Sequence, residues 1–168
     1  VDFIKTVQDA GVDFITIHGR TRSQRSSEPV NIEAISLLRS HCNVPVLANG
    51  DVVTVSAAKS IAAATGVDGV MSARSLLTNP ALFAGHDSCP WEAVEKFMNR
   101  VIEAPLPFKL VLHHLTEMCG SGGHGERGGE GVSGALLNKR ERAELIACGN
   151  MLELVDWLDS IREVRRFV

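Results

Sequence analysis

Three short runs rich in β-branched residues, Val12 to Ile17, Val44 to Ala48 and Val67 to Ser72, each end in small, polar or charged residues, and helix-length segments separate them. Neighbouring parallel strands need a crossover of that kind, so strand and helix signals in alternation point to a parallel α/β arrangement. The intervening segments carry helix signals of their own. Residues 1–10 place Phe3, Ile4, Val7 and Ala10 at helical spacing, and Gly11 supplies the stop. Asn31 is suited to cap a helix to about His41, with Ile32, Ile35, Leu37 and Leu38 on its buried side. Thr54 opens a third helix that runs to Ala64, and Gly66 closes it.

After about Gly85 no strand pattern recurs and the chain reads as helices. One spans Pro90 to Glu103 with proline in its first turn, and another spans Pro107 to Cys119 and stops at Gly120. Residues 120–134 hold eight of the fifteen glycines, a composition that buries too little apolar surface to offset ordering entropy, which predicts a disordered insertion. Asn138 with Glu141 has the spacing of a capping box and opens a helix to about Cys148. A final helix begins near Leu152, with Val155, Leu158, Ile161, Val164 and Val168 as its apolar stripe.

Composition narrows the function classes. The chain has 168 residues, 45% hydrophobic and 22% charged, as an ordinary globular protein does. A full (β/α)8 barrel typically needs about 250 residues, so any barrel portion here is partial. The first residues, Val-Asp-Phe-Ile-Lys, read as the inside of a helix rather than as a signal peptide, which predicts a fragment. A net charge of -3 gives no global attraction for nucleic acid, and any such affinity must come from a local patch. Apolar runs are broken by charges well short of a membrane span. Cys42, Cys89, Cys119 and Cys148 lack metal-ligand spacing or a disulfide framework and read as reduced thiols, so no metal site is expected.

The strand ends carry the chemistry. In barrels, ligands and catalytic groups gather at the C-terminal ends of the strands, and phosphate sites are often built by successive loops there. Asn49-Gly50-Asp51 offers close backbone approach and short polar side chains, although Asn-Gly is also a common turn dipeptide. Ala73-Arg74-Ser75, one strand later, offers amides at a helix start and a cation for an anionic ligand. The pair favours a phosphate-binding reading over a plain turn. His18 sits where a strand becomes a loop, and Arg20, Arg22 and Arg25 follow it as either a solvated loop or a phosphate-contact patch.

With Ile17-His18-Gly19-Arg20-Thr21, Ala48-Asn49-Gly50-Asp51, Val70-Met71-Ser72-Ala73-Arg74 and Asn79-Pro80-Ala81-Leu82-Phe83 in hand, residues 1–85 resemble strands six to eight of a tRNA-dihydrouridine synthase. Pro107-Phe108-Lys109 with His114 is similar to the helical domain of the eukaryotic branch that acts on positions 20a and 20b of the tRNA D-loop. The resemblance implies the last three strands of a TIM (β/α)8 barrel over residues 1–85. An all-helical tRNA-binding domain would follow over 86–168. It implies FMN as cofactor, NADPH as reductant and tRNA as substrate, with a uracil C5–C6 double bond reduced to give 5,6-dihydrouridine. Carried over by position, His18, Asn49, Gly50, Asp51, Ala73 and Arg74 match the family's FMN contacts. The family's acid is a cysteine on an earlier loop, so no catalytic residue is expected in this chain. Ser75 departs from the glycine common after that arginine, and the glycine-rich insertion is unusual.

Candidate RNA contacts are Arg20 and Arg22 in the first loop, with Lys139, Arg140 and Arg142 at a helix start; Arg162, Arg165 and Arg166 form a second cluster. Two other readings stay open, a different FMN barrel related to dihydroorotate or dihydropyrimidine dehydrogenases, and a non-catalytic RNA-binding remnant. The helical tail tells against the first. Reduced thiols and the lack of a targeting segment predict the cytoplasm or nucleus.

Overall fold

A computed structural model describes residues 1–25, 27–120 and 135–165, with side chains described to residue 162. The glycine-rich stretch 121–134, expected to be disordered, lies outside the described residues, as do Arg166 and the side chains of Val164, Arg165 and Val168. The chain forms two compact units, one from residues 1–76 and 82–87, the other from 77–81, 88–120 and the helices after 135.

The first unit alternates helix and strand: α1 (Asp2–Asp9), β1 (Ile15–His18), α2 (Ile32–Arg39), β2 (Val46–Asn49), α3 (Val55–Thr65) and β3 (Gly69–Met71). The short helix α4 (Arg74–Thr78) begins directly after the last strand. All pairings are parallel in the order β1-β2-β3, the expected α/β arrangement and that of part of a barrel. The expected caps are present. Asn31 and Thr54 accept from Ala34 N and Ala57 N, satisfying amides that a helix start leaves without partners, and Gly66 ends α3 in the left-handed region at φ 68°.

Packing follows the pleat. Val46 and Ala48 of β2 are fully buried, with Ile17, Ile35 and Ile61 in one cluster, while alternate residues Leu47 and Asn49 are only partly covered. At the N-terminal ends of the strands Asp68 accepts from Val46 N at 2.8 Å and pairs with Arg39, which also donates to the carbonyls of Gly66 and Cys42. Leu37, expected on the buried side of α2, is exposed. It lies two residues from the buried Ile35, on the opposite face of the helix.

The second unit contains α5 (Trp91–Glu103), α6 (Phe108–Cys119), α7 (Lys139–Ala147) and α8 (Met151–Arg165). Pro90 stands just before the first turn of α5 rather than within it. Val94, Val111, Leu115, Cys119, Leu145 and Leu154 are among its most deeply buried side chains. Leu154, absent from the expected stripe of α8, lies four residues before Leu158 and therefore on the same face. No described helix is long and apolar enough to cross a membrane.

Candidate functional site

The register places three chemically distinct residues side by side. His18 of β1 stands opposite Asn49 of β2, and Asn49 stands opposite Met71 of β3. These are the last residues of their strands, so the loops after them rise from one edge. They enclose a cleft of about 160 Å³ lined by His18, Asn49, Gly50, Asp51, Ala73 and Arg74 among others. All six positions matched to FMN contacts are thus brought together. A wider, more open hollow of about 490 Å³ shares His18 and Arg74 with the cleft and extends along Arg20, Thr21, Arg22 and Gln24.

The side chains in the cleft have different tasks. The backbone N–H of Arg20 donates to His18 Nδ1 at 3.2 Å, so that nitrogen is unprotonated and Nε2 carries the ring's N–H. His18 is exposed and therefore offers a donor to whatever occupies the cleft. Arg74 is half-buried and pairs with no carboxylate among the described residues. A guanidinium left without a counter-ion in a concave site attracts anions. The helix that starts there has only five residues, too few to build a strong macrodipole, so the charge of Arg74 is the larger attraction.

Asp51 behaves otherwise. One carboxylate oxygen accepts from Arg20 Nη2 and the other from Val30 N at 2.9 Å, so both oxygens are engaged inside the protein. Arg20 also donates from Nε to the Glu28 carbonyl at 2.6 Å, and its side chain is only 6% exposed. Expected at the surface as a phosphate contact, Arg20 is instead turned inward, and Arg22 and Arg25 are exposed cations of that loop. Gly50 has φ 118°, and a Cβ there would come within 2.4 Å of Val30 Cγ1, so only glycine fits.

The other RNA-contact candidates lie on α7 in the second unit. Lys139 is exposed, and Arg140 is exposed but bonded to Glu144 at 2.9 Å. Arg142 is half-buried, with an enclosed Nε that has no partner among the described residues, so it too is not a freely presented cation. Arg162 pairs with Glu95 at 3.1 Å. Sequence reasoning missed the commitment of Arg20 because its carboxylate partner, Asp51, stands far along the chain.

No cysteine lines either concavity. Cys42 is buried near the N-terminal end of β2, away from the strand ends that carry the cleft, and burial raises its thiol pKa, with Arg39 opposing. Burial pushes the Cys89 thiol up to about 11. Neither is poised to ionise at neutral pH.

A family model described as dihydrouridine synthase matches residues 1–133. The chain is 40% identical over 171 residues to a tRNA-dihydrouridine(20a/20b) synthase of Saccharomyces cerevisiae whose name specifies NAD(P)+; the match covers 99% of this chain and 43% of that protein. The protein of the same name in Schizosaccharomyces pombe is 42% identical over 97% of this chain and 45% of its own length. A Homo sapiens protein named as similar to those synthases is 36% identical over 70% of this chain and 37% of its own length. The chain spans less than half the length of these relatives.

Proposed function

Since the chain belongs to the dihydrouridine synthase family, we propose that its strand-end cleft holds the phosphate-bearing part of FMN, and that the protein serves the NADPH-driven reduction of tRNA uridine to 5,6-dihydrouridine. One observation carries the reading: six residues at the C-terminal ends of three successive strands line a single cleft in which Arg74 has no carboxylate partner among the described residues. The donor set suits the group. Arg74 would neutralise the phosphate, Asn49 and the His18 Nε2–H would bond polar atoms of the nucleotide, and the wider hollow adds room toward the more extended part of the ligand. FMN, when bound and reduced by NADPH, would supply the hydride for the uracil C5–C6 bond. The resemblance implies a cysteine as the acid for the other carbon, and no cysteine lines the cleft.

For the RNA, Lys139 on α7 and Arg22 beside the cleft are exposed cations that phosphates would meet, and Arg140 would join them on releasing Glu144. The names of the relatives in the two yeasts favour positions 20a and 20b of the tRNA as the target, over the different FMN barrels.

The test compares FMN with riboflavin, which lacks the phosphate. Arg74→Ala removes a charge-assisted contact of roughly 1.5–3 kcal/mol and so weakens FMN about tenfold or more, while riboflavin affinity hardly changes. Flavin fluorescence titration of both proteins reads this directly. Equal FMN affinity in wild type and variant would remove Arg74 from the phosphate site.

A further inference from the structure

We propose that Arg20 and Asp51 are positioning residues: their side chains form a brace that fixes the loops after β1 and β2, and with them the groups that line the flavin cleft. The proposal rests on the reading of the cleft as an FMN site and assigns Asp51 a different task there, since its carboxylate is spent within the protein.

The backbone at this point needs holding. Asp51 has φ 56°, the one non-glycine residue in the left-handed region among those described, directly after Gly50 at φ 118°. Aspartate tolerates that region better than most residues, yet it stays there only when its surroundings determine it. Those surroundings include the two carboxylate bonds, one from Arg20 Nη2 and one from Val30 N, beside a backbone bond from Val53 N to the Asp51 carbonyl. Val30 is also the side chain that closes against Gly50. The carboxylate therefore ties down the same residue that packs on the neighbouring glycine.

Arg20 is anchored at both ends of its reach. Its Nε donates to the Glu28 carbonyl, and its backbone N–H donates to His18 Nδ1. The second bond orients the imidazole, so an anchored Arg20 fixes His18 as well as Asp51. At 6% exposure its guanidinium is shielded from solvent, and a shielded cation without its carboxylate is strongly disfavoured. Backbone bonds close the arrangement, with Gly19 N donating to the Asn49 carbonyl and Asn31 N donating to the Gly19 carbonyl at 2.7 Å. Positioning of a ligand shell by such supporting contacts is a general requirement of precise sites.

The experiment uses Arg20→Leu, Asp51→Gly and the milder Arg20→Lys, which keeps a charge for Asp51 but cannot also hold the Glu28 carbonyl. Glycine at 51 adopts the left-handed backbone without strain, so its effect reports the lost carboxylate. Two readouts are taken: FMN and riboflavin affinity by fluorescence titration, and hydrogen exchange of the Val30 amide without flavin. The brace predicts that Arg20→Leu and Asp51→Gly each weaken FMN and riboflavin by the same factor, about tenfold, as losses of supporting contacts do at other ligand sites. The double variant should be no weaker than the worse single one, Arg20→Lys should fall between, and Val30 exchange should accelerate in both single variants. Loss of FMN affinity in Arg20→Leu with riboflavin unchanged would make Arg20 a phosphate ligand and overturn the proposal. Unchanged affinity and unchanged Val30 exchange in both single variants would overturn it as well. If wild type binds neither flavin, the FMN reading fails, and Val30 exchange alone then decides whether the brace holds the loops.

Discussion

Glu144 shows at the scale of one residue how local bonding becomes a pH dependence. Its carboxylate accepts from Arg140 and from the Trp157 indole, and those bonds hold its pKa below the usual 4.5. A carboxyl whose pKa is depressed by folding contributes stability above its unfolded value and loses it as pH falls through the folded value. Glu144→Gln should therefore melt below wild type at pH 7, and the two melting curves should converge on acidification below about 4.5. A gap that does not shrink as the pH falls would mean that packing of Trp157, not ionisation, sets the difference. At this scale the sequence was informative about position and poor about partners. His18, Asn49 and Arg74 could be placed at strand ends from pattern alone, because β-branched runs end where the chain turns out of the sheet. That Arg20 faces Asp51, thirty-one positions away, depends on how two loops fold toward each other, and a His-Gly-Arg string carries no trace of it.

Secondary-structure elements were legible where a local rule decides them. Asn138 accepts from Arg140 N and Glu141 N, and Glu141 accepts from Asn138 N at 2.8 Å, completing the capping box expected from two residues three apart. Asn138→Ala should cost about 1 kcal/mol in urea unfolding of the helical unit, whereas Asn138→Ser should cost much less. No measurable loss in Asn138→Ala would mean that α7 is held by its buried Leu145 alone. The strands were read too long at their N-terminal ends. Val12 to Phe14 and Val44 precede the parallel pairing, and hydrophobic pattern does not register where a neighbour's ladder begins. The five-residue α4 was legible only as a start, since one turn carries no periodicity.

At the scale of the whole molecule the chain has two cores that share no residue, one around Val46 and Ile35, the other around Leu115 and Leu145. The proposed flavin site belongs entirely to the first, because every residue lining the cleft lies in that unit. The alternation of strand and helix was enough to show where such a site would gather, as parallel strands deliver their following loops to one edge. Pattern could not show which of the gathered side chains face outward to a ligand and which brace the loops behind them. The most direct test of the flavin site is amide hydrogen exchange across the chain with and without saturating FMN. Protection should rise at residues 49–53 and 71–75 and stay unchanged in α5 to α8. Protection that rises only in the helical unit, or nowhere, would contradict a flavin site at the strand ends.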